Sequence, residues 1–545
     1  MGLKSYYRKN LRLYQLLITY VCIKMNAYSS FWFTALSSRD RYGSSLQFVF
    51  KTIGDIEFTA FFEGAAPNLN FSEYLHYKAI KEHLNKSNIT ICISFIRFLG
   101  LKLLQWKSNL LILKDFLFLI QELFFYFLYK KSYKLDLKNF SNGYLFVCPF
   151  DLPLLYNKNN EYKDRYFGEV PIRLLKKGKK VAITGILPKG VRDFYKRANL
   201  PKDIQLFPIL FSVISAGLIS VFKVIFMELF FPPKVKLGSK KIFAPFESIV
   251  NREIFSNFKN RVIGKLIFLS VESILENNSN ISIIYTFENN FWEKALVQAF
   301  RKFSKSGKII GYHHCAVLES HQKNYIDPIE FLKRPFPDRI FTTGPNSKEA
   351  LLSIGRYPKG KVRAGVDLRG PLLNTITLKD NRPKKIQNIL VILEGLNSMV
   401  ALLNLILKVK DLESGLTFSV RPHPALDWSS QIMIDMEYKL KEKIVKLDPF
   451  MDLSEQIAKV DAVVYKGSTA ALYAAYAGAP LLRYEDDWWL SDDPLFRIGG
   501  LKKCFRDEFE CLQNINVFET MDDDIYLSLL KAQRNYIVNY LRPNS

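Results

Sequence analysis

The segment from Ala462 to Tyr484 constrains the fold more than any other part of the chain. Ala462-Val-Val-Tyr465 is a short, wholly apolar run of the kind found in buried parallel strands. Lys466-Gly467-Ser468-Thr469 follows, with Gly467 supplying backbone freedom for a turn and Ser468 and Thr469 available as helix caps. Ala470, Ala471, Ala474, Ala475 and Ala477 make a helix slim enough to lie close on a sheet, and Gly478 with Pro480 ends it before the strand Leu481–Tyr484. Strand, turn, helix and strand in this order belong to an α/β fold with a parallel sheet. The turn exposes helix N-terminal N–H groups and the positive end of the helix dipole, which suits a phosphate. The alternative is an ordinary crossover helix with a serine cap.

Two upstream units repeat the pattern. Gln387–Leu393 is a buried-strand run that breaks at Glu394-Gly395-Leu-Asn-Ser398 and is followed by a helical run from Met399 to Val409. Leu416–Val420 is another strand, running into Arg421-Pro422-His423-Pro424. Ligands of open α/β sheets gather at the carboxyl ends of the strands, so Glu394, His423 and Ser468 are expected to be spatial neighbours. The flanking prolines hold His423 on an extended backbone that is expected to present the imidazole and the Arg421 guanidinium outward.

The Glu-Gly turn, the Arg-Pro-His-Pro segment and the Gly-Ser-Thr turn, in this order, resemble the nucleotide-sugar half of GT-B glycosyltransferases that build bacterial surface polysaccharides. They are similar to the carboxylate-Gly, His-Pro and Ser-Ser/Thr motifs of bacterial sialyltransferases, Kdo transferases and polyol-phosphate transferases. The resemblance implies donor binding by Glu394, Gly395, Arg421, Lys466, Gly467, Ser468 and Thr469, with His423 catalytic. In sialyltransferases the carboxylate-Gly motif lies in the N-terminal domain and carries the base. Here Glu394 shares a domain with His423, which points to a donor-site role.

The middle of the chain alternates in the βαβ manner: strands at Ile281–Tyr285, Lys308–Gly311 and Arg339–Thr342, with a helix from Trp292 to Phe303. Glu288 and His314 fall just past adjacent strand ends, where a carboxylate beside an imidazole is a workable general base for a sugar hydroxyl. Alternatively Glu288 caps the Trp292 helix and His314 is an interior residue; His313 and His321 compete for its role. Tyr285-Thr-Phe-Glu288-Asn289, Trp292-Glu-Lys-Ala295, Gly311-Tyr-His-His314 and Pro337–Pro345 resemble the acceptor half of surface carbohydrate or O-antigen biosynthesis proteins, capsule enzymes included.

Charge is uneven. From residue 388 onward 17 Lys and Arg face 23 Asp and Glu, a net of −6, so the first 387 residues carry +31 within a chain of net +25. An anionic membrane surface is the expected partner, because basic residues flank apolar helices. Nucleic acid is not expected, since no recognition motif is visible. Phe207–Phe231 reads as an apolar helix, 25 residues interrupted by Lys223 and Glu228. A bilayer needs ~20, yet a span there would split one sheet, so the helix is expected to dip into the interface or dock in a core. In Trp106–Tyr129, Lys107, Ser108, Lys114, Asp115, Gln121 and Glu122 form one narrow polar stripe on an otherwise apolar helix. Met1–Arg12 is basic and Leu13–Ile23 apolar, but without a cleavage site export is not expected. The six cysteines show no metal or disulfide spacing, which suggests reduced thiols in cytoplasm.

These readings predict an α/β chain of two Rossmann-like, GT-B-like domains. An additional mostly helical N-terminal region covers residues 1–140, the acceptor domain 141–370 and the nucleotide-sugar domain 386–545, with Lys379–Lys385 as linker. The expected activity is glycosyl transfer from a nucleotide sugar to a surface polysaccharide or lipid-linked glycan, at the inner face of the membrane. No cofactor and no obligatory divalent ion are expected, for want of an Asp-x-Asp motif at a plausible donor position. A nucleotide-sugar epimerase of GT-B fold and a non-catalytic glycan assembly or binding protein are the alternatives.

Overall fold

The computed structural model describes residues 113–114, 116–121, 140, 142–149, 164, 166–186, 205–209, 218–231, 258–277, 280–318, 324, 336–355, 357–368, 372–394, 399–423, 431–440, 443–448, 451–485 and 491–542. The expected N-terminal region therefore lies outside the described residues, apart from the helical residues 113–114 and 116–121 and Phe140. The chain divides into two compact units. One takes residues up to His314 with Gln322–Phe341 and Leu352–Val362; the other takes Cys315–His321, Thr342–Leu351 and Arg363–Ser545.

The first sheet is built from β1 (Tyr144–Pro149), β2 (Val181–Ile186), β3 (Gln205–Pro208), β4 (Ser282–Thr286), β5 (Ile309–His313), β6 (Arg339–Thr342) and β7 (Val362–Ala364), in the order β3-β2-β1-β4-β5-β6-β7. β1 pairs in parallel with β2 and β4, from Tyr144 opposite Val181 on one side to Tyr144 opposite Ser282 on the other, and β2 with β3 and β4 with β5 are parallel as well. Between the strands come α1 (Val170–Lys176), α2 (Leu218–Phe230), α3 (Phe258–Asn277), α4 (Phe291–Phe303) and α5 (Pro345–Gly355). Leu145, Phe146, Val147 and Cys148 are all buried, as a strand covered on both faces must be. The α4 helix turns Trp292, Ala295, Leu296, Val297, Ala299 and Phe300 inward, while Arg301 and Lys302 stay exposed in its last turn.

The second sheet runs β10-β9-β8-β11-β12-β13, from β8 (Asn388–Ile392), β9 (Thr417–Arg421), β10 (Ile444–Lys446), β11 (Ala462–Tyr465), β12 (Leu481–Tyr484) and β13 (Lys502–Phe505), again parallel. Its helices are α6 (Leu372–Thr375), α7 (Met399–Leu412), α8 (Gln431–Leu440), α9 (Leu453–Ala458), α10 (Ala470–Ala477), α11 (Glu508–Thr520) and α12 (Asp523–Tyr540). Strand alternation sorts the core into two layers. Ile389, Val391, Val464 and Leu482 join Leu402, Ile406, Ile515 and Phe518 on one face; Leu390, Ile392, Val463, Tyr465 and Leu481 join the alanines of α10 on the other. The terminal helix serves both, giving Tyr526 and Leu530 to the first layer and Ile537 and Tyr540 to the second. It also gathers earlier pieces of chain: Val317 N–H donates to the Tyr540 hydroxyl (2.9 Å) and Thr343 Oγ1 to the Tyr540 carbonyl (2.8 Å).

The α/β class with two parallel, doubly wound sheets is thus as the sequence predicts. The single helix over Phe207–Phe231 is corrected. Phe207 lies in β3, with Thr184 opposite Phe207 and Gly185 opposite Pro208, and the described helix covers Leu218–Phe230. An apolar run cannot distinguish a buried strand from a helix by periodicity, and pairing with β2 decided it. Among the described residues no helix is long and apolar enough to cross a membrane. Lys379–Lys385, read as a linker, is fastened to the second unit. Lys379 N–H donates to Ala477 O (2.7 Å), Lys379 Nζ to Val460 O, and Arg382 pairs with Asp523 at 2.6 Å.

Candidate functional site

In each sheet the order of strands reverses at one point, and that is where polar side chains collect. In the second sheet the reversal lies between β8 and β11. Leu393 N–H donates to Arg421 O (3.1 Å), so β8 stays paired one residue beyond its end and Glu394 emerges half-buried at the switch point. Beside it the chain leaves β11 through Lys466, Gly467 and Ser468, all buried. A methyl group on Gly467 would collide with Glu394 Oε1 and lie 2.6 Å from Asp492 O, so no other residue lets the turn pass so close to the carboxylate. The α10 helix begins here: Thr469 holds the cap position and is exposed, and Ser468 Oγ accepts from Ala470 N–H at 3.4 Å. Gly478, at φ 93°, ends the helix in the left-handed conformation that the sequence calls for.

A buried ionic network holds this turn. Lys466 Nζ lies 3.3 Å from Asp492 Oδ2, Arg483 Nη2 donates to Asp492 Oδ1 (3.1 Å), and Arg483 Nε stands 3.7 Å from Asp493 Oδ2. Asp493 also accepts from the Tyr465 hydroxyl (2.8 Å) and from Lys502 Nζ (2.7 Å). Burial first, then the Asp493 carboxylate, push the Tyr465 phenol well above its ordinary pKa, so this hydroxyl stays a hydrogen-bond donor. Cation and carboxylate thus alternate around the turn. The helix N-terminus and Lys466 suit an anion, and Glu394 suits a hydroxyl donor.

Arg421 and His423 separate in environment. His423, just past the end of β9, is exposed, as its proline setting predicts. The outward Arg421 guanidinium is corrected: the residue is half-buried, and its Nη1 donates to Met451 O (2.9 Å) and Gln456 Oε1 (2.5 Å). Pairing of β9 with β10 brings the chain around Met451 within its reach. Gly395 and Pro424 lie outside the described residues.

In the first sheet the reversal lies between β1 and β4. Glu288 follows β4 and His314 follows β5, and these strands are neighbours, which sets His314 Nε2 3.3 Å from Glu288 Oε1. Tyr166 packs edge-on against the His314 ring at a centroid distance of 5.4 Å, and Tyr312 stacks on it at 6.4 Å. His313 is buried within β5, against Phe287, and His321 lies outside the described residues. The helix cap falls on Asn290, so the alternative role of Glu288 as cap is not the one observed.

The residue that shapes this loop is Glu293. Its buried carboxylate accepts from Glu288 N–H with both oxygens (3.0 Å each), from Asn289 N–H (2.8 Å) and from Asn290 Nδ2 (3.0 Å). Asn289 takes φ 62°, a left-handed conformation that asparagine tolerates. Sequence reasoning missed Glu293, although Asn290-x-x-Glu293 ahead of an apolar helix is a capping-box signature. It also missed Asp492, Asp493 and Arg483; no motif marks them, since β12 and the loop before β13 bring them to the turn only in three dimensions.

No protein-family model and no curated protein matches the sequence. Among solved structures the chain is similar to a glycosyltransferase from Rickettsia africae ESF-5, at TM-score 0.41 and 12% identity over 74% of this chain and 95% of that one. It is similar to UDP-GlcNAc 2-epimerase from Neisseria meningitidis bound to UDP-GlcNAc, at 0.39 and 13% over 73% and 99%. The calicheamicin glycosyltransferase CalG4 gives 0.39 and 13% over 74% and 95%.

Proposed function

We propose that this chain is a nucleotide-sugar-dependent glycosyltransferase whose acceptor is a surface polysaccharide or lipid-linked glycan, acting at the inner face of a membrane. The observation that carries the proposal is the pairing of Glu288 with His314 at 3.3 Å past the ends of β4 and β5, beside one switch point, matched by a phosphate-suited turn at the other. In the reaction the bond from the sugar C1 to the donor phosphate breaks and a bond from C1 to an acceptor oxygen forms. The Glu288–His314 pair takes the hydroxyl proton. The nucleotide leaves with the electron pair, and its new charge is met by the α10 N-terminus and Lys466. Glu394 accepts from hydroxyls of the donor, and the exposed His423 completes the donor site. The net charge of +31 on the first 387 residues supports an anionic membrane partner.

The test is a panel of nucleotide sugars. One of them is expected to raise the melting temperature, because a ligand at 100 times its Kd stabilises by about 2.7 kcal/mol. With a glycan acceptor it is expected to release free nucleotide. His423→Ala is expected to lower that release ~10²-fold in a folded protein. Interconversion of two nucleotide sugars without release would make the chain an epimerase. Absence of any stabilisation would leave a glycan-binding or assembly role.

A further inference from the structure

On the first unit, α2 shows an unusual division of its surface. Its inner side is anchored: Val221 and Ile225 are buried, and Arg261 of α3, 1% exposed, donates from Nε to Glu228 Oε2 (2.7 Å) and from Nη2 to Glu228 O (2.8 Å). Its outer side carries Ile219 (85% exposed), Phe222, Phe226, Met227 and Phe230 (60%), and the stripe continues into Phe231. Phe226 and Phe230 already touch, with ring centroids 4.7 Å apart. Positions 219, 222, 226 and 230 follow the helical repeat, so this is one continuous apolar stripe held outward by a buried ion pair. Within it on the wheel, between Phe230 and Met227, stands the exposed Lys223. A second helical segment repeats the pattern. Leu113, Leu117 and Ile120 are exposed, Lys114 lies beside them, and Phe118 is pinned under Lys259 of α3 at 3.7 Å.

We infer that the outer face of α2, seconded by residues 113–120, is the surface by which this protein lies on an anionic bilayer. The inference rests on the membrane part of the function proposed above and names the element responsible. Two observations select lipid over a protein partner. The first 387 residues, which carry the face, hold the whole positive excess of the chain, +31 against −6 after residue 387. A lysine set inside an apolar stripe is costly in a dry protein interface, whereas at a membrane its stem lies among the acyl chains and its ammonium reaches the headgroups. Packing decides the orientation. Val221, Ile225 and the Glu228–Arg261 pair hold the inner side of α2 against the protein along its length, so the helix lies along the surface with its outer rings dipping in.

Full-length protein is mixed with vesicles of phosphatidylcholine alone or with added phosphatidylglycerol, across a salt series. The wild type is expected to co-sediment with the anionic vesicles and to come off in part as salt rises. Phe222→Gln/Phe226→Gln/Phe230→Gln is expected to weaken binding at least ~10-fold, since the lost rings are the buried area. Its thermal unfolding and its stabilisation by a nucleotide sugar are expected to match the wild type. Phe509→Gln, an exposed ring of the second unit, is expected to bind vesicles unchanged. Wild-type-like vesicle binding by the triple variant overturns the assignment to α2 while leaving membrane attachment standing. Failure of the wild type to bind either vesicle overturns both. If, in that case, light scattering shows self-association that the triple variant loses, the face is a contact between copies of the chain.

Discussion

Glu288→Gln keeps shape and removes the acceptor for a proton, so kcat is expected to fall ~10²-fold or more while nucleotide affinity stays nearly constant. Steady-state kinetics with a thermal-shift titration check this; weakened nucleotide binding at normal turnover would contradict the assignment. Glu293→Gln probes a positioning residue. Three donor groups converge on its carboxylate, and an amide turns one acceptor into a fourth donor, at a cost of about 1–3 kcal/mol. Loss of stability in urea together with lower kcat, but unchanged nucleotide binding, is expected. Equal loss of nucleotide binding would show that Glu293 supports the fold generally rather than the Glu288 loop. The sequence showed Glu288 and His314 because both follow strands recognisable by local pattern. It gave Arg421 an outward role that Met451 and Gln456 contradict, because hydrogen bonds to residues 30 and 35 positions away leave no local signal.

At the scale of elements, α9 is short and depends on its cap. Asp452 accepts from Ser454 Oγ, from Ser454 N–H (2.7 Å) and from Glu455 N–H (3.4 Å). The Ser454 hydroxyl first, then these N–H groups and Arg421, hold its carboxyl below the usual carboxylate range. A depressed acid contributes stability above its unfolded pKa and loses it as pH falls through the folded one. Asp452→Ala is expected to destabilise by about 1 kcal/mol near neutrality, and the gap from wild type is expected to narrow in acid. Urea midpoints at two pH values measure it; a gap that widens in acid would refute the cap as its source. Asp507 and Asp522 cap α11 and α12 in the same way, through two backbone N–H groups each, and such caps are among the features a sequence shows most plainly.

At the scale of the whole molecule, α12 joins the two core layers of the second unit. Leu530 and Ile537 belong to different layers, and seven residues of helix set them about 10 Å apart. Leu530→Ala and Ile537→Ala are each expected to cost about 2–5 kcal/mol, and the double variant the sum within about 0.5 kcal/mol. Strong non-additivity in denaturant unfolding would show that the layers repack as one. The sequence by itself determined the class of this protein, two parallel α/β sheets, since apolar runs, glycine turns and caps act over a few residues. It also determined where the candidate groups leave their strands. Tertiary structure alone decided that Phe207 belongs to a strand, because only pairing with β2 distinguishes the two states of an apolar run. It alone decided which carboxylates surround Lys466 and Gly467, and that the rings of α2 face outward. Those outcomes depend on residues far apart in the chain meeting in the fold, and burial and charge pairing are properties of that meeting rather than of any local stretch.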